Sequence, residues 1–401
     1  MTQAQLPGPM STSENYYPCF MGNGIDAVLI GPTGSMVKER AQGDLDRCYW
    51  YKADRYYPED RVIPIPGRLP REGQPLYAEG GAWREIAPLG RTWYTVNHAD
   101  LTLSVRASTQ HFSPSDGILH SSVDYGAVQA QITTFLHAHR SLLIIRYIFS
   151  EPVTLRAYAA AGPWIPEGYD TDPFNSFLLH SDHGSITYSL EDKSGAIALE
   201  MQPSGKHGQT HNTIWQEVTA QQFTQYFSVS DEQDNTSASA TTNEALSMGY
   251  DALQAEHVAA WRSYAAQSSI SIPHPALNEM YRASLYHFKA AQNRVSGGLP
   301  VNNLRLTWSS HVFWDAYFMH HTLLAANRKQ ESLEGARFFL RTLDHAKHHA
   351  SNDFNSPGLK WDWELTHTGQ PAYGTWFHQK DQVHNNASYA NIIWGYYEFT
   401  H

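Results

Sequence analysis

The hydrophobic period of this chain changes once, and that change divides it. Up to about residue 240, apolar side chains alternate or run in short blocks between turn signals. After it they recur every three or four residues. Alternation puts one face of a strand on a core, and a 3.6-residue period does the same for a helix. Leu101–Val105 and Ala127–Ile132 alternate. Leu142–Phe149 forms a buried-strand block, expected to stop at Glu151-Pro152, and Val153–Tyr158 follows. Ser185–Leu190 and Ala196–Met201 flank the polar turn Asp192–Gly195 and predict a hairpin. Gln222–Val229 closes the series. Short strands between turns predict an antiparallel β-sandwich over residues 1–240.

Ser230–Asn243 is polar and is expected to be a loop, with Thr242 or Asn243 capping the next helix. Leu246, Tyr250, Leu253, His257, Ala260 and Tyr264 then share a helical face, and Ile270–Pro273 breaks it. Residues 241–272 therefore form an expected helical linker. Pro275 suits a first helical turn. Three further stripes are expected to face a core: Leu277, Met280, Tyr281, Ser284 and Phe288; Leu333, Ala336, Leu340 and Leu343; and Ala387, Ala390, Trp394 and Tyr397. Residues 273–401 are thus helix, loop, helix. The fold class is multidomain β plus α.

Composition narrows the functions. The 401 residues suffice for two or three domains, and 41% hydrophobic with 17% charged residues is globular. A net charge of -11 argues against nucleic acid or an anionic membrane as a partner. No apolar run is long enough to cross a bilayer. Met1–Pro7 lacks a charged and an apolar leader region, and the two cysteines, Cys19 and Cys48, suggest free thiols. A cytoplasmic location is expected.

Three motifs carry the chemistry: His311-Val312-Phe313-Trp314-Asp315, Trp361-Asp362-Trp363-Glu364 and Gln382-Val383-His384-Asn385-Asn386. Sugars offer hydroxyls to bond and C–H faces to stack on, so indoles beside carboxylates, imidazoles and amides suit them. Asp315 and Glu364 are the candidate catalytic carboxylates. Trp314, Asp315, Trp363, Glu364, Gln382 and His384 are the candidate saccharide ligands, with Trp308 and Trp376 as further stacking candidates. The plain alternatives are Asp315 as a helix cap, Glu364 as a surface helix charge and Trp394 as core. His345, His348 and His349 sit at i, i+3 and i+4, but no carboxylate or cysteine completes a recognisable spacing, so no metal is expected.

The order of these motifs, ending in Gln382–Tyr397, resembles glycoside hydrolase family 65, which holds maltose, trehalose and kojibiose phosphorylases and acid trehalases. Met21-Gly22-Asn23-Gly24 resembles the family's early G-N-G segment. The resemblance is specific only over residues 305–397. It implies a β-sandwich, a linker and an (α/α)6 barrel, with Trp314-Asp315 and Trp363-Glu364 lining a glucosyl subsite. Gln382 and His384 would open the next inner helix. It implies inverting cleavage of an α-glucosidic bond by water or by inorganic phosphate, with no cofactor, acting alone or as a homodimer. Inversion by water needs two carboxylates roughly 6.5–9.5 Å apart. Ser310 and Ala316-Tyr317 depart from the family pattern and leave the sugar open. The family's general acid, in a G-P-D-E-Y-like motif, is missing. Twelve helices need roughly 200 residues, more than 273–401 provides. The sequence is therefore expected to hold part of a barrel and to show little activity alone. Two other readings stand beside this one: a glucosidase of another (α/α)6 family with Asp315 as the acid, and a non-catalytic carbohydrate-binding protein.

Overall fold

A computed structural model describes residues 17–37, 48–53, 55, 87–98, 105–162, 177–182, 185–190, 193–210, 212–300, 311–372 and 382–401. These fall into two compact units. The first comprises the described residues up to Tyr51 and from Ala87 to Tyr264; the second comprises 265–401 with the described residues at 52–55. Strands dominate the first and helices the second.

The strands of the first unit are β1 Cys19–Gly22, β2 Asp26–Ile30, β3 Trp50–Lys52, β4 Gly90–Val96, β5 Ala107–Ser113, β6 Ile118–Asp124, β7 Gln129–Leu136, β8 Leu142–Ala161, β9 Phe177–Asp182, β10 Ser185–Leu190, β11 Lys193–Gln202, β12 Lys206–Gln209 and β13 Thr213–Asp231. Among the described residues, the registered ladders of this unit are all antiparallel. Two long strands organise the sheet. β8 pairs with β7 through its first half and with β4 through its second. β13 runs beside β8 throughout, giving its first half to β12 and its second to β11. Trp50 of β3 meets Phe227 of β13 edge-on, with ring centroids 5.6 Å apart. A Cβ on Gly90 would press on Ile197, Phe227 and Val229 at 3.2–3.3 Å, so glycine suits the close approach there.

Glu151-Pro152 does not end the strand. The register shifts between Ala220 and Gln222 of β13, which face Val153 and Ile148, so residues 149–152 bulge outward. Gln221 fills the gap, donating its Nε2 to Phe149 O at 3.1 Å. A proline is tolerated where no ladder needs its N–H. The β10–β11 hairpin forms, but strand pairing begins already at Lys193, so the turn lies before Ser194-Gly195. Of the expected strand 101–105, the first four residues lie outside the described residues, and Val105 is not in a strand.

The polar segment after Ser230 is not a loop throughout. β13 reaches Asp231, and helix α1, Ala238–Met248, starts from Ser237. Ser237 Oγ accepts the Ala240 N–H, taking the cap expected of Thr242 or Asn243. Gly249, at φ 76°, then separates α1 from α2, Tyr250–Ala265. Tyr250, Leu253, His257, Trp261 and Tyr264 are buried, close to the expected stripe. Ala245, Tyr250 and Leu253 pack on Ile118, Phe135, Leu142, Ile144 and Tyr226 of the sheet. The G-N-G segment is structural. Asn23 is buried, and its Nδ2 donates to His137 O at 3.1 Å and Arg140 O at 3.2 Å.

The helical unit holds α3 Pro275–Ala291, α4 Ala316–Ala325, α5 Lys329–Arg341, α6 Leu343–Phe354 and α7 His384–Thr400, with two short strands, β14 Val312–Phe313 and β15 Glu364–Leu365. Pro275 opens α3 as expected. The stripes fall out of phase. α3 buries Ala283, Leu285, Tyr286 and Ala290, while Leu277 and Met280 are exposed. α5 buries Glu331, Ser332, Gly335, Ala336, Phe338 and Phe339, while Leu340 is exposed. α7 buries Asn385, Tyr389, Ile392 and Gly395, and Trp394 and Tyr397 face outward instead of into the core. Each helix carries large apolar side chains on two faces, so period alone does not choose between them. Gly335 shows what decides α5: a Cβ there would lie 1.7 Å from His320 Cε1, so the helix approaches α4 on its small-residue face. The core of this unit gathers Val312, Ala316, Phe338, Phe339, Trp361, Leu365, Tyr389 and Ile392.

Candidate active site

The three motifs meet, and a two-residue ladder joins the first to the second. β14 and β15 pair antiparallel, with Val312 opposite Leu365 and Phe313 opposite Glu364. Trp314 and Asp315 leave the end of β14 at the start of α4. The third motif clamps the second through backbone oxygens. Asn385, fully buried in the first turn of α7, donates Nδ2 to Trp361 O at 2.8 Å and to Asp362 O at 2.9 Å. Asn386 accepts the Trp361 N–H at 3.0 Å and donates to Leu359 O at 2.9 Å. Tyr389 Oη donates to Trp363 O at 3.1 Å. Trp361 is buried and donates its indole N–H to Thr342 Oγ1 at 2.8 Å, so it is core.

Asp315 is half-buried and stands at the N-cap position of α4, but its side chain makes no capping bond. The plain capping reading therefore fails. Burial pushes its carboxyl above the ordinary carboxylate range, while its own backbone N–H and nearby His384 pull the other way. Trp314 is also half-buried and meets the His384 ring edge-on, with centroids 5.2 Å apart. Trp314, Asp315 and His384 thus form one cluster of indole, carboxyl and imidazole. Gln382, half-buried, lies two residues before His384.

Glu364 is no surface helix charge. It sits in β15 at 0% exposure and bonds His311 Nδ1 through Oε2 at 2.9 Å, with His311 equally enclosed. Burial raises its pKa, and the bond to His311 opposes the shift. Its other oxygen, Oε1, has no hydrogen-bond partner among the described residues. His367, also buried, is pushed down to about 4, chiefly by burial and then by His311. Trp363 is half-buried, with its ring 6.1 Å from Phe313. Trp308 and Trp376 lie outside the described residues.

Asp362 was not among the expected ligands, yet it is the most heavily bonded carboxylate here. Oδ2 meets His345 Nε2 at 2.5 Å and Oδ1 meets His349 Nδ1 at 3.2 Å. The bond to Asp362 raises the His345 pKa, whereas burial lowers that of His349. His348 faces outward and contacts Asn352. Among the described residues, no group of three or more histidine, cysteine, aspartate or glutamate side chains is arranged to hold a metal ion. The i, i+4 spacing of His345 and His349 with an acid in the Trp-rich loop was the available signal for this cluster.

The fold has a counterpart. It is shared with a solved structure described as a putative kojibiose phosphorylase from human microbiome. The TM-score is 0.66 at 13% identity, over 94% of this chain and 53% of that one. The present chain spans about half of that structure's length. A bacterial glucoamylase complexed with acarbose matches at TM-score 0.48 and 13% identity, over 72% of this chain and 48% of that one. A family GH92 alpha-mannosidase from Bacteroides thetaiotaomicron matches at 0.38 and 9%, over 91% and 51%. Of these three, the first supports the shared fold. No family model and no curated protein matches the sequence. Among the described residues, no helix is long and apolar enough to cross a membrane.

Proposed function

We propose that this chain belongs to a carbohydrate-active enzyme of the family 65 type. It would cleave an α-glucosidic bond in a di- or oligosaccharide with inversion, using water or inorganic phosphate. In this reading α3–α7 are the first part of an (α/α)6 barrel, and Trp314, Asp315, Trp363, Gln382 and His384 grip the glucosyl ring. Glu364 holds His311 and, through β15, the approach to Trp314-Asp315. A cytoplasmic location and a homodimer belong to the same proposal.

One observation carries the reading: the β14–β15 pairing and the α7 amide clamp converge three motifs that are far apart in sequence. The fold shared with the kojibiose phosphorylase structure supports it. The test is to titrate the chain with maltose, trehalose and kojibiose, and to assay turnover of each with and without phosphate. Asp315→Asn is expected to weaken binding by about 10- to 100-fold, the worth of a hydrogen bond to a charged group. Unchanged binding and turnover in both Asp315→Asn and Trp314→Ala would overturn the proposal.

A second reading has its own support. The Asp315 carboxyl, raised by burial and free of a capping role, suits a proton donor. Asp315 would then be the general acid of another (α/α)6 glucosidase. That reading expects Asp315→Asn to abolish turnover and spare affinity.

A further inference from the structure

The β unit contains a cavity that the reading above does not use. It measures about 570 Å³ and lies over β11, β12 and the first half of β13, lined by Leu199, Glu200, His207, Ile214, Trp215 and Gln216 among others. Pockets of roughly 300–1,000 Å³ hold small ligands. We propose that it binds a neutral mono- or disaccharide, independently of Asp315.

The walls are built in advance. Trp215 is set by register, opposite Tyr158 of β8 and Gly208 of β12. A Cβ on Gly208 would lie 2.1 Å from the indole, so glycine alone lets the ring stand there. Arg156 lies 4.3 Å from the Trp215 ring and is fixed by Glu217, with Nε and Nη2 at 2.7 Å and 2.6 Å from Oε2. Gln216 is buried at 3% exposure. Its Nε2 donates to Leu199 O at 2.9 Å and to Glu200 Oε2 at 2.8 Å. One amide hydrogen thus holds the Glu200 carboxylate in place and the other ties Gln216 to the β11 backbone. Gln216 Oε1 is buried and has no partner among the described residues, an acceptor that a hydroxyl would satisfy.

The charges select the ligand class. Glu200 disfavours phosphates and carboxylates. Arg156 already occupies the π system of Trp215, so a second cation gains little there. A neutral polyol remains. Its hydroxyls meet Glu200, His207 and Gln216, and its C–H surface meets Leu199 and Ile214, while Trp215, on the opposite face of β13, only braces the wall.

The test uses the full chain carrying Asp315→Asn, which weakens the first site in the reading above, so that binding dependent on Glu200 and Gln216 reports the second. Calorimetry with glucose, maltose, trehalose and kojibiose is expected to show binding near 1 mM, about −4 kcal/mol. Adding Gln216→Leu, or separately Glu200→Gln, is expected to weaken it at least about tenfold. Circular dichroism checks the fold, and Glu200→Gln serves if Gln216→Leu fails to fold. Glucose 6-phosphate is expected to bind more weakly than glucose. Three results would overturn the proposal: no saccharide binding to the Asp315→Asn chain up to tens of millimolar, binding indifferent to both added changes, or choline bound in preference to glucose.

Discussion

The two units hold their tryptophans by different means. In the β unit, backbone ladders do it: Trp93, Tyr158 and Trp215 follow one another across β4, β8 and β13 in register. Trp93 and Tyr158 stack at 5.2 Å with planes 2° apart. Many backbone bonds share the task, so deletion of one side chain leaves the rest in place. In the helical unit, Trp314, Trp361 and Trp363 stand outside the helices. A two-residue ladder and a few side chains, Thr342, Asn385, Asn386 and Tyr389, hold those segments. A site built on ladders resists substitution, and one built on side-chain clamps is mobile and easily retuned.

The largest test of this contrast is Glu364→Ala. It leaves His311 buried without its carboxylate and removes a side chain from the β14–β15 pair. Loss of one partner of a buried hydrogen-bonded pair costs about 1–3 kcal/mol, and the lost packing of the side chain adds to it. Hydrogen exchange is the right readout, because two units do not guarantee one transition. Exchange is expected to rise across residues 311–315 and 361–365 and to stay unchanged in β8 and β13. Equal loosening of both units would end the comparison.

The β unit has its own weakness, and it is titratable. His137 and His257 are fully buried with ring centroids 6.0 Å apart, and His257 also lies against Phe135. Burial pushes both down to about 3, with Arg140 and His139 adding to the effect on His137. The unfolded chain protonates them near 6.5. A depressed histidine pKa means that the unfolded state takes up protons first. Stability is therefore full above about pH 6.5 and is lost as pH falls towards 3. At pH 5 the loss is roughly 2 kcal/mol per histidine. Measured as unfolding of the β unit between pH 7.5 and 5, His137→Leu is expected to remove about half of that slope. An unchanged slope would mean that these imidazoles do not govern its acid sensitivity.

The same division explains what was legible in the sequence. Alternation exposed the parts of β8, β10, β11 and β13 that bury one face or both. It missed β5, Ala107–Ser113, whose only large apolar side chain is Phe112. It could not show that β8 passes Pro152, because the bulge depends on Gln221 from another strand. In the helices the period was right throughout, and the phase held for α2 but failed for α3 and α7. Trp394 and Tyr397 looked like core, but the small and polar Gly395 and Asn385 mark the buried face of α7. The motifs were visible as aromatic–acid clusters with amides beside them, but the clamping role of those amides was not. Nothing in Asn385-Asn386 announces bonds to carbonyls some 23 to 27 residues earlier, since backbone partners leave no trace in residue type.

Asn385→Ala sharpens the contrast at its finest scale. The change deletes the amide that donates to Trp361 O and Asp362 O, while β14 and β15 keep their own pairing. Asp362 O then loses this donor while Trp361 O keeps Lys360 Nζ at 2.7 Å, at a cost of about 1–3 kcal/mol. The helix itself gains, because alanine favours it over asparagine by several tenths of a kcal/mol. The net loss is expected to be about 1–2 kcal/mol, confined to the loop. Its signature is local: faster exchange at residues 359–363, and a His345 pKa that falls as Asp362 loosens from it, since that bond is what raises it. Proton NMR of the His345 ring measures the second effect directly. A His345 titration unmoved by Asn385→Ala would show that Asp362 is held by its histidines alone, and that the start of α7 does not set the shape of the site.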